Sequence, residues 1–109
     1  MLFRSSGTTS PLTSSSSSNA NAVVIDITIA NRQVTPNGQK LNVSRGQKVI
    51  MHVTSDMDDE IHAHTGGDGY ELEVTAGKPA TGSFVVSDSG SFEIESHHLE
   101  KIIAILNVR

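Results

Sequence analysis

The sequence predicts an all-β protein, a Greek-key β-sandwich of about seven short strands. Apolar and polar residues alternate with period two through most of the chain, and segments rich in Gly, Pro, Asn and Asp separate the alternating stretches. No stretch of eleven residues carries the i, i+3, i+4, i+7 spacing of an amphipathic helix. Because the chain has three Phe, one Tyr and no Trp, the core of this antiparallel sandwich must be aliphatic.

The strands follow one another at short intervals. The first is predicted where Ile25, Ile27 and Ile29 alternate with smaller or more polar residues. A turn then follows at residues 36–38, because Asn37 and Gly38 tolerate the positive φ of tight turns. Six further strands are predicted around Leu41 and Val43, Val49 to Val53, Tyr70 to Val74, Thr81 to Val86, Phe92 to Ser96 and Ile102 to Val108.

Composition divides the chain into a tether, residues 1–22, and a domain, residues 23–109. Residues 5–18 contain eight Ser and three Thr, and such a segment buries too little apolar surface to offset the entropy of ordering it. The tether is therefore predicted to be disordered. Ser/Thr-rich tethers are common beside the anchoring or cleavage sites of exported bacterial proteins, so we expect an extracytoplasmic setting: periplasmic, secreted or envelope-tethered. Residues 1–4 are not followed by the apolar stretch of a signal peptide, and a cytosolic tail is the alternative.

Charge and residue content exclude several classes of function. Twelve acidic and eight basic residues give a net charge of −4, and no basic stripe suits a nucleic acid. The longest apolar stretch, residues 102–106, is far shorter than the roughly 20 residues of a transmembrane span. The absence of Cys excludes disulfides, thiolate nucleophiles and cysteine-based metal sites. No nucleophile is paired with a base by its spacing, so we expect no enzymatic activity.

Four of the five histidines occur in two close pairs, which makes them candidate metal ligands. Residues i and i+2 of a strand share a face, so His62 and His64 lie on one side if their segment is extended. Because His98 continues the phase of Phe92 and Ile94, it is expected to point inward more than His97. Glu60 and Glu95 are candidate acceptors that orient the rings. The predicted ligands of copper(II) or zinc are His62, His64, His97 and His98.

Several segments, taken in order, resemble the bacterial cupredoxin-like domains in which a His-x-His-Gly-Tyr stretch is usual. They are residues 41–49, Glu60-Ile61-His62-Ala63-His64 followed by Gly69-Tyr70, residues 76–84, and residues 90–98. The resemblance covers residues 23–109 and implies a copper-binding sandwich whose ligands come from both histidine pairs.

The chain departs from this family at the metal ligands. The position at which the family carries Cys falls on Ser96 or its neighbour, and no Met follows His98. Residues 65–68 also interrupt the family's pattern and would move His64 away from the site. A blue-copper electron carrier cannot be built without a thiolate. Two expectations remain. The first is a histidine-based metal-binding module, whose partners are a metal ion and also an envelope protein. The second is a metal-free structural or interaction domain that retains only the fold.

Overall fold

The computed structural model describes residues 22–65 and 69–109. The predicted tether lies outside this range except for Ala22, so the boundary between tether and domain stays a prediction. The strands are β1 (Val23–Ala30), β2 (Gln33–Thr35), β3 (Gln39–Val43), β4 (Lys48–Ser55), β5 (Asp59–Ala63), β6 (Tyr70–Val74), β7 (Ala80–Val85), β8 (Gly90–Ser96) and β9 (Lys101–Val108). Within the described ranges, no helix is long and apolar enough to cross a membrane.

The strands form two sheets that pack as a sandwich. One sheet has the order β2-β1-β4-β7 and the other has the order β3-β9-β8-β5-β6. The predicted all-β sandwich is therefore confirmed. The expectation of purely antiparallel pairing is wrong, because β1 pairs with β4 and β3 pairs with β9 in parallel. Alternation within one strand carries no information about the direction of its neighbour, which depends on how the chain crosses between the sheets.

The described part of the chain contains nine strands rather than about seven. The two additional strands are β2, which has three residues, and β5, which reads Asp-Glu-Ile-His-Ala. Only Ile61 and Ala63 of β5 are apolar and buried, so its sequence has little of the β-branched and aromatic character that marks a strand. Its place between β8 and β6 supplies the hydrogen bonds and the packing that its composition does not indicate.

The core between the sheets is aliphatic, as predicted from the composition. Each long strand contributes alternate residues: in β4, Val49, Met51 and Val53 are buried, whereas His52 faces solvent as its phase predicts. Tyr70 reaches across from β6 and packs against the α-carbon of Gly82 in β7, where any larger side chain would collide with the ring. This contact ties the edges of the two sheets together.

Alternation in β5 and β8 separates two sets of polar residues. Asp59, Ile61 and Ala63 point into the sandwich, and Glu60 and His62 lie on the outer face of the five-stranded sheet. In the same way, Ile94 and Ser96 of β8 are buried, whereas Glu93 and Glu95 reach solvent. The polar residues of β5 and β8 therefore lie on two sides of one sheet.

Candidate metal centre

The outer face of β6, β5 and β8 brings His62 among carboxylates. His62 lies directly opposite Glu71 of β6 on one side and opposite Glu95 of β8 on the other. One row further along, the backbone N–H of His97 donates to the carbonyl oxygen of Glu60 at 2.9 Å. This bond extends the β5–β8 ladder by one residue and places His97 beside Glu60 and His62.

Three side chains on this face form a candidate metal site, which we name the outer triad: Glu60, His62 and His97. Their ligand atoms all lie within 4.8 Å of one another. His62 Nε2 is 2.9 Å from Glu60 Oε1, and the rings of His62 and His97 are stacked with centroids 4.8 Å apart. Two ligand atoms bound tetrahedrally at about 2.0 Å are about 3.3 Å apart, so the ligand atoms of the outer triad are close to the spacing that one ion requires.

The other two predicted ligands lie outside the outer triad. His64 is exposed and its Nε2 is 2.5 Å from Glu95 Oε1, with its ring centroid 6.0 Å from that of His62. His98 is exposed and its Nδ1 is 2.8 Å from the carbonyl oxygen of Asp58. The expected inward direction of His98 is wrong, because β8 ends at Ser96 and the chain turns before the strand phase reaches residue 98. The interruption of the family pattern at residues 65–68 lies outside the described residues except for Thr65.

Glu60 is a candidate ligand beside the histidines. From the sequence, Glu60 is predicted only to accept a hydrogen bond from their rings. The signal in the sequence was the i, i+2 spacing of Glu60 and His62, which puts both on one face of a strand. No signal in the sequence indicates that His97, and not His98, lies beside Glu60 and His62, because the turn between β8 and β9 decides this.

Carboxylates make the outer face strongly negative around His62. The hydrogen bond to Glu60 is the main cause that raises the pKa of His62, and the charges of Glu71 and Glu95 act in the same direction while partial burial opposes them. The same hydrogen bond lowers the pKa of Glu60. The negative residues on this face are Glu60, Glu71, Glu73, Glu93 and Glu95. A cation at the outer triad would therefore be favoured by several neighbouring charges.

The inner side of the same strands carries a buried pair, Asp59 and Ser96, with 4% and 0% of their surfaces exposed. The Ser96 hydroxyl donates to Asp59 Oδ2. Asp59 Oδ1 accepts the backbone N–H of Glu60 at 2.7 Å and that of His98 at 3.0 Å. The hydroxyl oxygen of Ser96 accepts the N–H of Leu99 at 3.2 Å. Every polar atom of the pair is thus engaged within the protein.

Ser96 of this inner pair, or its neighbour in the chain, is the position at which the resemblance places the thiolate of a blue-copper site. A blue-copper centre requires a Cys ligand, and this position holds a hydroxyl that is already bound to a carboxylate. The residues present therefore do not fit blue copper. Burial also keeps the Ser96 hydroxyl away from any substrate in solution, so this serine is not an accessible nucleophile.

No protein-family model matches the chain, and no curated protein matches it by sequence. Solved structures do match. Auracyanin A, a blue copper protein from the green thermophilic photosynthetic bacterium Chloroflexus aurantiacus, aligns with a TM-score of 0.60 and 13% identity over 81% of this chain and 99% of its own. The chain has a cupredoxin fold. A purple cupredoxin from Nitrosopumilus maritimus agrees, with a TM-score of 0.59 and 15% identity over 80% of this chain and 99% of its own.

The cupredoxin fold of this chain also matches part of a larger protein. A blue copper oxidase from Nitrosomonas europaea aligns with a TM-score of 0.63 and 13% identity, covering 94% of this chain and 48% of the oxidase chain. At such identities the likeness concerns the fold, and ligands must be judged residue by residue. In this chain Asp59 and Ser96 are buried inside the sandwich, and His62 lies on the outer face of the five-stranded sheet.

Proposed function

We propose that this cupredoxin-fold protein is a metal-binding module that holds copper(II) or zinc on the outer face of its five-stranded sheet. The observation that carries the proposal is the convergence of the outer triad, whose ligand atoms lie within 4.8 Å of one another. Two imidazoles and a carboxylate are a donor set that suits both metals. His64 and Glu95 are paired with each other at the border of the site, and Glu95 adds negative charge there. The role is non-enzymatic: storage, delivery or sensing of the ion.

Binding at the outer triad replaces a proton by a metal ion. Without metal, the Glu60–His62 hydrogen bond holds a proton between the carboxylate and the imidazole. Where the His62 ring is protonated on both nitrogens, an ion has to displace one proton, because only an unprotonated ring nitrogen ligates. We therefore expect binding to release protons and to weaken as the pH falls through the pKa of His62, which lies above its ordinary value.

The bound ion has no thiolate ligand. Copper(II) held by nitrogen and oxygen donors gives the weak absorption and the spin-resonance spectrum of a tetragonal site, without intense blue colour. The expected spectrum separates this protein from the blue and purple copper proteins that share its fold.

The test is to titrate the full chain and two single variants with copper(II) and with zinc. Calorimetry measures the affinity for both metals, and electron paramagnetic resonance reports on the copper(II) site. His62→Ala removes the central ligand and should weaken binding at least about 10-fold. His52→Ala is the matched control, because His52 is exposed on the other sheet beside Thr81 and should leave affinity unchanged. Binding no tighter than millimolar, or equal binding by the His62 variant, would contradict the proposal.

The second candidate function is a metal-free structural or protein-interaction domain that keeps only the fold. The observation that favours it is the inner pair, which satisfies the buried polar groups at this end of the sandwich without any ion. If neither metal binds in the titration, the result supports this second function.

We also propose that the protein works outside the cytoplasm, where an envelope protein is the candidate partner for receiving or supplying the ion. The Ser/Thr-rich composition of residues 5–18 supports this setting. Fractionation of cells that express the intact gene product tests it. Recovery in the envelope, the periplasm or the medium is expected, and a soluble cytosolic pool would contradict the proposal.

A further inference from the structure

We infer that Asp59 and Ser96 act as positioning residues that hold His97 beside His62. The inference rests on the proposed function and assigns the inner pair a role in it: preorganising the outer triad from the opposite side of the sheet. Neither side chain contacts the ion in this scheme, because both point into the sandwich.

The turn that carries His97 is held by three consecutive backbone amides. The N–H of His97 donates to the carbonyl oxygen of Glu60, that of His98 donates to Asp59 Oδ1, and that of Leu99 donates to Ser96 Oγ. Two of these three acceptors belong to the inner pair. The direction in which the His97 ring leaves the turn therefore depends on Asp59 and Ser96.

Asp59 also links the turn to the strand that carries the rest of the outer triad. Its Oδ1 accepts from the N–H of Glu60 in β5 and from the N–H of His98 in the turn. One carboxylate oxygen thus joins the two chain segments that supply Glu60, His62 and His97, in addition to the bond from the His97 N–H to the Glu60 carbonyl oxygen.

Burying a carboxylate costs free energy, so holding a turn with Asp59 and Ser96 is unfavourable unless the turn itself is needed. Among the described residues no Lys or Arg pairs with Asp59, so the hydrogen-bond partners of its carboxyl group are two amides and one hydroxyl. A buried carboxylate satisfied by neutral donors is weak evidence for added stability and better evidence for a fixed local conformation. Groups that orient metal ligands from behind contribute about 10- to 100-fold in metal affinity.

The experiment measures copper(II) affinity and the number of coordinated imidazoles, by pulsed electron paramagnetic resonance, in the full chain. Wild type should show two imidazoles, from His62 and His97. Asp59→Ala should weaken binding about 10- to 100-fold and leave one imidazole. Asp59→Asn keeps an oxygen acceptor for both amides and should recover most of the loss. Asp26→Ala, on the exposed face of the other sheet, is the matched control.

The imidazole count separates positioning from a general loss of stability, because a merely weakened fold would lower affinity without removing one ring selectively. Should Asp59→Ala not fold, Ser96→Ala gives the same test, since it removes the acceptor for Leu99 and should also lose the His97 imidazole. Two imidazoles and unchanged affinity in the folded variants would overturn the inference alone. A wild-type protein that binds no copper(II) would overturn the proposed function, and the positioning role with it.

Discussion

The two faces of β5 and β8 use similar polar residues in opposite ways. On the inner face, Asp59 and Ser96 are buried and bound to each other and to backbone amides. On the outer face, Glu60 and His62 lie one and three residues further along, reach solvent, and form a titratable pair. The difference shows that residue type does not assign a role in this protein. The side of the sheet decides whether a carboxylate holds the chain or remains available to an ion.

The largest effect that tests this comparison concerns two adjacent residues of β5. Ile61→Ala removes a fully buried side chain and should destabilise the fold by roughly 2–5 kcal/mol. His62→Ala, one residue later on the outer face, should change the free energy of unfolding by about 1 kcal/mol or less while it weakens copper binding at least about 10-fold. Urea unfolding of both variants measures the contrast. Similar losses of stability in the two would mean that β5 does not separate core from site as described.

A smaller loss of stability is expected at the inner pair. Ser96→Ala leaves Asp59 Oδ2 and the N–H of Leu99 without their buried partner and should cost about 1–3 kcal/mol. Ser83→Ala, at an exposed position of β7, is the matched control and should be nearly neutral. The two variants are compared by urea unfolding without metal. If Ser96→Ala were as close to neutral as Ser83→Ala, the inner pair would not stabilise this end of the sandwich.

The smallest effect concerns the Glu60–His62 pair and pH. Glu60→Gln removes the main cause that raises the pKa of His62, so that pKa should fall toward its ordinary value, as measured by NMR titration of the ring protons in metal-free protein. Glu93→Gln, which is exposed on the same face, is the control. A pKa of His62 that is unchanged by Glu60→Gln would contradict the assigned cause.

The same pair makes stability depend on pH in a definite direction. The raised pKa of His62 stabilises the fold fully below its ordinary value of 6.5, and this contribution is lost as the pH rises through the folded-state pKa. The lowered pKa of Glu60 stabilises the fold above its ordinary value of 4.5, and this contribution is lost as the pH falls through the folded-state pKa. The stability difference between wild type and Glu60→Gln should therefore be largest between pH 4.5 and 6.5.

Much of the fold could be predicted because strand periodicity is local. The alternation of Val49, Met51 and Val53 identified both the strand and its buried face. β5 was harder to predict, since its five residues include Asp, Glu and His, and only its two neighbouring strands make it a strand. The parallel pairing of β1 with β4 follows from the path of the chain between the sheets, which no local pattern records.

The sequence by itself determined the aliphatic alternation that makes a sandwich, the absence of a thiolate, and the two histidine pairs from which a metal site could be drawn. Only the tertiary structure brought His62 and His97 together as candidate ligands, added Glu60 as a third candidate, and joined Asp59 to Ser96 across 37 residues. The reason is physical. A strand's side-chain period depends on neighbouring residues and is written in the sequence, whereas the register between strands and the direction of a turn depend on contacts between distant segments.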